Sequence, residues 1–116
     1  MSSAEYQEKI AECKEIIKKC NNLIEKLTPL YDYIGQPLRD ANTCLSLLDS
    51  TNTDGSGNDN DKHNIDNVIS TLNSLTTSLN IIIAECKAKI ESCETDINTY
   101  SGLYQQALEK ENASNI

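Results

Sequence analysis

Apolar residues recur at alternating spacings of four and three along almost the whole of this chain, and that period restricts it to long helices. The first series runs Tyr6, Ile10, Cys13, Ile17, Cys20, Ile24, Leu27, Tyr31, Ile34, Leu38, Ala41, Leu45, Leu48. The second runs Ile65, Ile69, Leu72, Thr76, Leu79, Ile83, Cys86, Ile90, Cys93, Ile97, Tyr100, Tyr104, Ala107, with Thr76 its one polar member. A strand would need a period of two. A 4-3 alternation instead gathers the apolar side chains into one seam along a helix, the pattern that coiled-coil-like pairing buries.

The residues available to fill that seam point the same way. The chain has 116 residues, no Phe, no Trp and five Tyr, so Leu, Ile and Cys must supply the interior. That suits a slender all-α bundle of one domain, residues 1–116, better than a sandwich or barrel. Ten basic against eighteen acidic residues give a net charge of −8. Nucleic acids and anionic membranes attract Lys and Arg, so this balance argues against both as partners. Residues 1–20 show an amphipathic period in place of the basic and continuous apolar regions of a secretory signal. The longest apolar run, Ile81 to Ala84, is far too short for membrane insertion. The expectation is a cytoplasmic protein, with export beside a partner, without a signal peptide, as the other route.

The pattern predicts a first arm over 3–50, a polar loop over 51–63 and a second arm over 64–111. The loop, TNTDGSGNDNDK with His63, is rich in Gly, Asp and Asn. Asn64 is placed to cap the second arm and Asp66 to complement its dipole. Pro29, Gly35 and Pro37 interrupt the first arm, because proline removes a backbone donor and clashes with the preceding turn. Thr28-Pro29 also reads as a cap followed by a first helical residue. The seam keeps its phase through this region. The fold expected is therefore a long antiparallel helical hairpin whose first arm is kinked near 29–37.

Two helices bury only two positions in seven. Here a third position, just before each first seam residue, is also apolar: Ile16, Leu23, Leu30 and Cys44 in one arm, Val68, Leu75, Ile82 and Leu103 in the other. Three in seven is the face of a helix inside a three- or four-helix bundle. The expectation is that another helical chain covers it, with Ile16, Leu23, Leu30, Val68, Leu75 and Ile82 as the partner-binding residues. Two alternatives stay open. A first arm folded at its kink buries the stripe itself, or two copies of the chain form a homodimeric four-helix bundle.

No catalytic, cofactor or metal-binding set emerges. Ser and Thr residues lack a His partner in any recognisable arrangement, and the one His stands in the acidic loop. The chain is expected to be non-enzymatic. Asn52, Asp54, Ser56 and Gly57 match the early positions of an EF-hand loop, but its last position is His63 where a Glu is required. Cys13/Cys20 and Cys86/Cys93 are each seven apart, on one helix face. One antiparallel register pairs Cys13 with Cys93 and Cys20 with Cys86. A register centred on the loop, with Leu48 beside Ile65, instead sets Cys20 against Cys93. With no secretory signal and Cys44 left over, the expectation is reduced thiols acting as small apolar residues, a disulfide-stapled module being the lesser reading.

An acidic helical hairpin of this length resembles the small helical proteins of bacterial type VII secretion, the WXG-type hairpins and the helical partners of LXG-domain toxins. Tyr33-Ile34-Gly35 is nearest to the family's Trp-x-Gly turn but lacks the Trp. The export signal Tyr-x-x-x-Asp/Glu is departed from: Tyr104 follows Tyr100 by four, Leu108 follows Tyr104 by four, and Glu109 misses by one. The resemblance implies a partner or targeting chaperone that binds the helical N-terminal domain of a larger effector. The departures favour an accessory role over self-directed export.

Overall fold

The computed structural model describes residues 1–51 and 59–114. All regular structure among them is helical: α1 spans Ser3–Leu27, α2 Leu30–Thr51 and α3 Asp59–Ser114. The chain is all-α, as the period requires. Every member of both apolar series is buried or half-buried, and Cys13, Leu79, Ile83, Cys86 and Cys93 are the buried core.

Local signals explain the boundaries. Ser2 caps α1: its Oγ accepts from the Glu5 N–H at 3.2 Å and donates to the Glu5 carboxylate at 3.3 Å. The first arm breaks at Thr28-Pro29, where the N–H of Tyr31 donates to the Thr28 carbonyl and that of Asp32 to the Pro29 carbonyl. Pro29 stands where a new helix leaves N–H groups unpaired in any case, so its missing donor costs little. Gly35 and Pro37 do not break the arm; α2 runs through both. Pro37 is exposed, so the carbonyl it orphans one turn earlier is open to water. The second arm begins at Asp59, with Asp59 and Asp61 in its first turn against the helix dipole, and Asn64 lies within it. The EF-hand positions 52, 54, 56 and 57 lie outside the described residues; His63 is exposed on α3.

The chain forms two compact units, one of residues 1–25 and 83–116, the other of 26–82. In the first, α1 pairs antiparallel with the C-terminal part of α3. The Ser3 N–H and hydroxyl donate to the Glu111 carboxylate at 2.9 and 2.6 Å. The Tyr6 and Tyr100 rings lie 6.2 Å apart, and the thiols of Cys13 and Cys93, and of Cys20 and Cys86, are in contact. This is the cysteine-matched register. In the second unit, α2 pairs antiparallel with the N-terminal part of α3. The Tyr31 hydroxyl donates to Asn80, Lys62 meets Asp49 at 2.8 Å, and Leu48 and Ile65 wall one depression. Leu48 beside Ile65 is the neighbour pair that the loop-centred alternative names, as the two cysteine pairs are those of the other.

Candidate functional site

A seam between two helices is narrow, and here it leaves no described side chain fully enclosed. The stripe beside the seam stays in water. Leu23 is 41 % exposed, Leu30 37 %, Val68 50 %, Leu75 49 % and Ile82 39 %, while Ile16 is half-buried. Within each unit the paired helix does not cover these residues. The six residues are divided: Ile16 and Leu23 belong to the first unit, and Leu30, Val68, Leu75 and Ile82 to the second.

The second unit brings three of its four together and leaves Val68 apart. Leu30, Tyr33 and Ile34 of α2 and Leu75, Leu79 and Ile82 of α3 wall a groove of 360 Å³ whose single polar neighbour is Ser78. Further along α3, Val68 and Leu72 line a shallower depression of 240 Å³ with Asn67 and Thr71. Nearer the connector, Leu47, Leu48 and Ile65 line one of 620 Å³, rimmed by Asp61 and Asn64. Tyr33, Leu47 and Ile81 add exposed apolar surface outside the heptad stripe. The chain matches no family model, no curated protein and no solved structure.

Charge is absent from the α3 wall of the groove. From Asn67 to Ala84, α3 carries no Asp, Glu, Lys or Arg, and the segment from Ala41 to Leu48 of α2 carries none either. Depletion of charge around large apolar and Tyr side chains is the compositional mark of an interface core. That shift in composition was available in the sequence, and heptad arithmetic passed over it because it sorts residues by face alone. On α2, Arg39 donates to Gln36 at 2.9 Å and Gln36 to Asp40 at 2.8 Å, Asp49 pairs with Lys62, and Asp32 is exposed.

The polar groups that do lie in the seams are satisfied locally. The Thr76 hydroxyl donates to the Leu72 carbonyl at 3.0 Å, which lets a polar residue occupy a seam position. Among the described residues no buried side-chain nitrogen or oxygen is left unpaired, and no group of three or more His, Cys, Asp or Glu is placed to hold a metal ion. Three titrating groups depart from their ordinary range. Burial, then the neighbouring Cys93, pushes the Cys13 thiol up; burial, then Cys20, does the same for Cys86. The Ser3 hydroxyl and then its N–H hold the Glu111 carboxyl below the usual carboxylate range, which also places an anion at the positive end of α1. These shifts follow from packing, and none faces the groove. No helix among the described residues is long and apolar enough to cross a membrane.

Proposed function

We propose that this chain is a non-enzymatic interaction module that takes a helical segment of another protein onto the apolar face of its second unit. The observation that carries the reading is the groove between Leu30 and Leu75: two neighbouring helices present exposed Leu, Tyr and Ile side chains around a depression with no charge beside it on α3. A helix laid into such a groove would contact it through residues three and four apart, matching the heptad spacing of Val68, Leu75 and Ile82. Burial supplies the free energy. At roughly 1.5–3 kcal/mol for a fully buried Leu, Ile or Val, the exposed parts of Leu30, Val68, Leu75 and Ile82 together hold about 3–5 kcal/mol. Tyr33 and Ile81, which are more exposed still, extend that sum if the partner reaches them.

Within this reading the chain serves as a partner or targeting chaperone for the helical N-terminal domain of a type VII secreted effector, as the resemblance of its acidic hairpin implies. The test has two stages. Sedimentation equilibrium of the full chain over a concentration series comes first, then calorimetric titration with the helical N-terminal domain of an LXG effector. A monomer that gains one equivalent of effector domain, and loses that binding on Leu75→Asp, supports the reading. A tight homodimer broken by the same substitution would assign the face to a second copy of the chain instead. A stable monomer that ignores effector domains would remove the chaperone role.

A further inference from the structure

The cysteines of the first unit are arranged for a chemistry that the docking face does not use. Four of the five occupy seam positions and meet in two pairs across the helix interface, Cys13 with Cys93 and Cys20 with Cys86, on successive heptads. The ring contact of Tyr6 with Tyr100, one heptad nearer the chain ends, keeps the same register. Cys13, Cys86 and Cys93 are 8 %, 8 % and 3 % exposed, whereas Cys20 is half-buried and Cys44 is exposed in the other unit. All five are thiols in this structure.

The geometry points to a two-rung disulfide staple: exposure to a small-molecule disulfide joins Cys20 to Cys86 and Cys13 to Cys93, locking the first unit and leaving Cys44 outside. Thiols already in contact across a packed interface need little backbone movement to bridge, which is the main geometric condition for a disulfide. Entry is at Cys20, the pair member that solvent reaches. Its thiolate attacks one sulfur of oxidised glutathione, the glutathione S–S bond breaks, and one glutathione thiolate leaves and takes up a proton. The Cys86 sulfur then attacks the Cys20 sulfur of the mixed disulfide, gives up its own proton and expels the second glutathione. Two protein thiols are oxidised to one disulfide as one glutathione disulfide is reduced to two thiols. The same exchange at Cys13 and Cys93 waits on opening of the unit's end, because both sulfurs are buried. Burial also holds the Cys13 and Cys86 thiols protonated, which slows both resolving steps without changing the partners.

The sequence makes the pairing easy to read, since trypsin places each cysteine on a peptide of its own: residues 10–14, 20–26, 40–62, 63–87 and 90–110. The folded full-length chain is incubated with excess oxidised glutathione, sampled over time with alkylation of free thiols, digested and analysed by mass spectrometry without reductant. The expected products are 20–26 joined to 63–87 first, then 10–14 joined to 90–110, with 40–62 recovered alkylated or as a glutathione adduct. Cys20→Ser, at a half-buried site where a hydroxyl reaches water, should lose the first link and keep the second. Joining of 20–26 to 90–110, links formed only in denaturant, or free Cys13, Cys20, Cys86 and Cys93 after equilibration would each overturn the proposal. None of these outcomes bears on the docking face, which contains none of the four residues.

Discussion

The substitution Leu75→Asp separates a docking residue from a core residue by the size of two effects. Leu75 is 49 % exposed on the groove wall, beside Leu30 and Ile82. In the isolated chain an Asp there reaches water through the exposed half. The fold then loses only the half already buried, about 1 kcal/mol, or roughly 3–6 °C in melting temperature for a chain of this size. In a complex the same position is enclosed. The other half of the Leu contribution is lost, again about 1 kcal/mol, and a carboxylate must be desolvated or protonated against apolar neighbours, at a cost of about 2 kcal/mol or more. Together these weaken association by about 3 kcal/mol, a Kd rise on the order of a hundred-fold or more. Calorimetric titration against the partner domain, with thermal circular dichroism on the free variant, reads both numbers. Thr99→Asp, on the exposed face of α3 in the first unit, serves as the control and should change neither. An unchanged Kd, or a Leu75→Asp chain that no longer folds alone, would show that the groove is not a docking surface.

Three further outcomes test the packing. Glu111→Gln should lower the melting temperature at neutral pH. Since folding holds this carboxyl's pKa below its unfolded value, the contribution is complete above the ordinary carboxylate range and fades as pH falls through the lowered value. Melts of parent and variant should therefore converge in acid, and a constant gap across pH would argue against the Ser3 contact. Thr76→Ile replaces the one polar seam residue, whose hydroxyl is satisfied within its own helix and so leaves no orphaned partner. Urea unfolding should show a gain of about 1 kcal/mol from the added burial. Cys93→Leu adds volume at a site 3 % exposed and pressed against Cys13, so about 1–3 kcal/mol of overpacking should appear as a lower urea midpoint.

Much of the fold was legible because one signal, the 4-3 alternation, is redundant over many turns. Each of its members, from Tyr6 to Ala107, lies where the period puts it, and Thr76 was the only one needing a separate account. Helix ends were less legible. Proline has opposite meanings at the entry to a helix and in its interior, and only the structure separates Pro29, which stands just before α2, from Pro37, which α2 accommodates on an exposed side. The start of the second arm was placed at 64 on Asn64, whereas the aspartates at 59 and 61 extend the helix back by complementing its dipole. Of the candidate face, heptad position identified Leu30, Val68, Leu75 and Ile82 but could not identify Tyr33, Leu47 or Ile81, which lie off the stripe. Nor could it choose between the two cysteine registers, since a shift of one heptad preserves every seam contact in kind.

The two units differ in what fills their seams. The interaxial distance of packed helices depends on the side chains at the contact. In the first unit the facing seam residues include two Cys–Cys rungs of small side chains, and four of the five buried residues among those described lie there. In the second, Tyr31, Leu38, Leu45 and Leu72 occupy the seam, and all remain half-buried. Larger seam side chains favour a wider helix separation, and there Leu30, Leu75 and Ile82 beside the seam wall a groove. The charge pattern differs between the units too: Glu and Lys crowd the helices of the first, while α3 drops every charge between Asn67 and Ile82 in the second. A chain built only to pair with itself along one uniform seam would have no reason for that asymmetry. One that holds itself together at one unit and offers an apolar surface to a second helix at the other would.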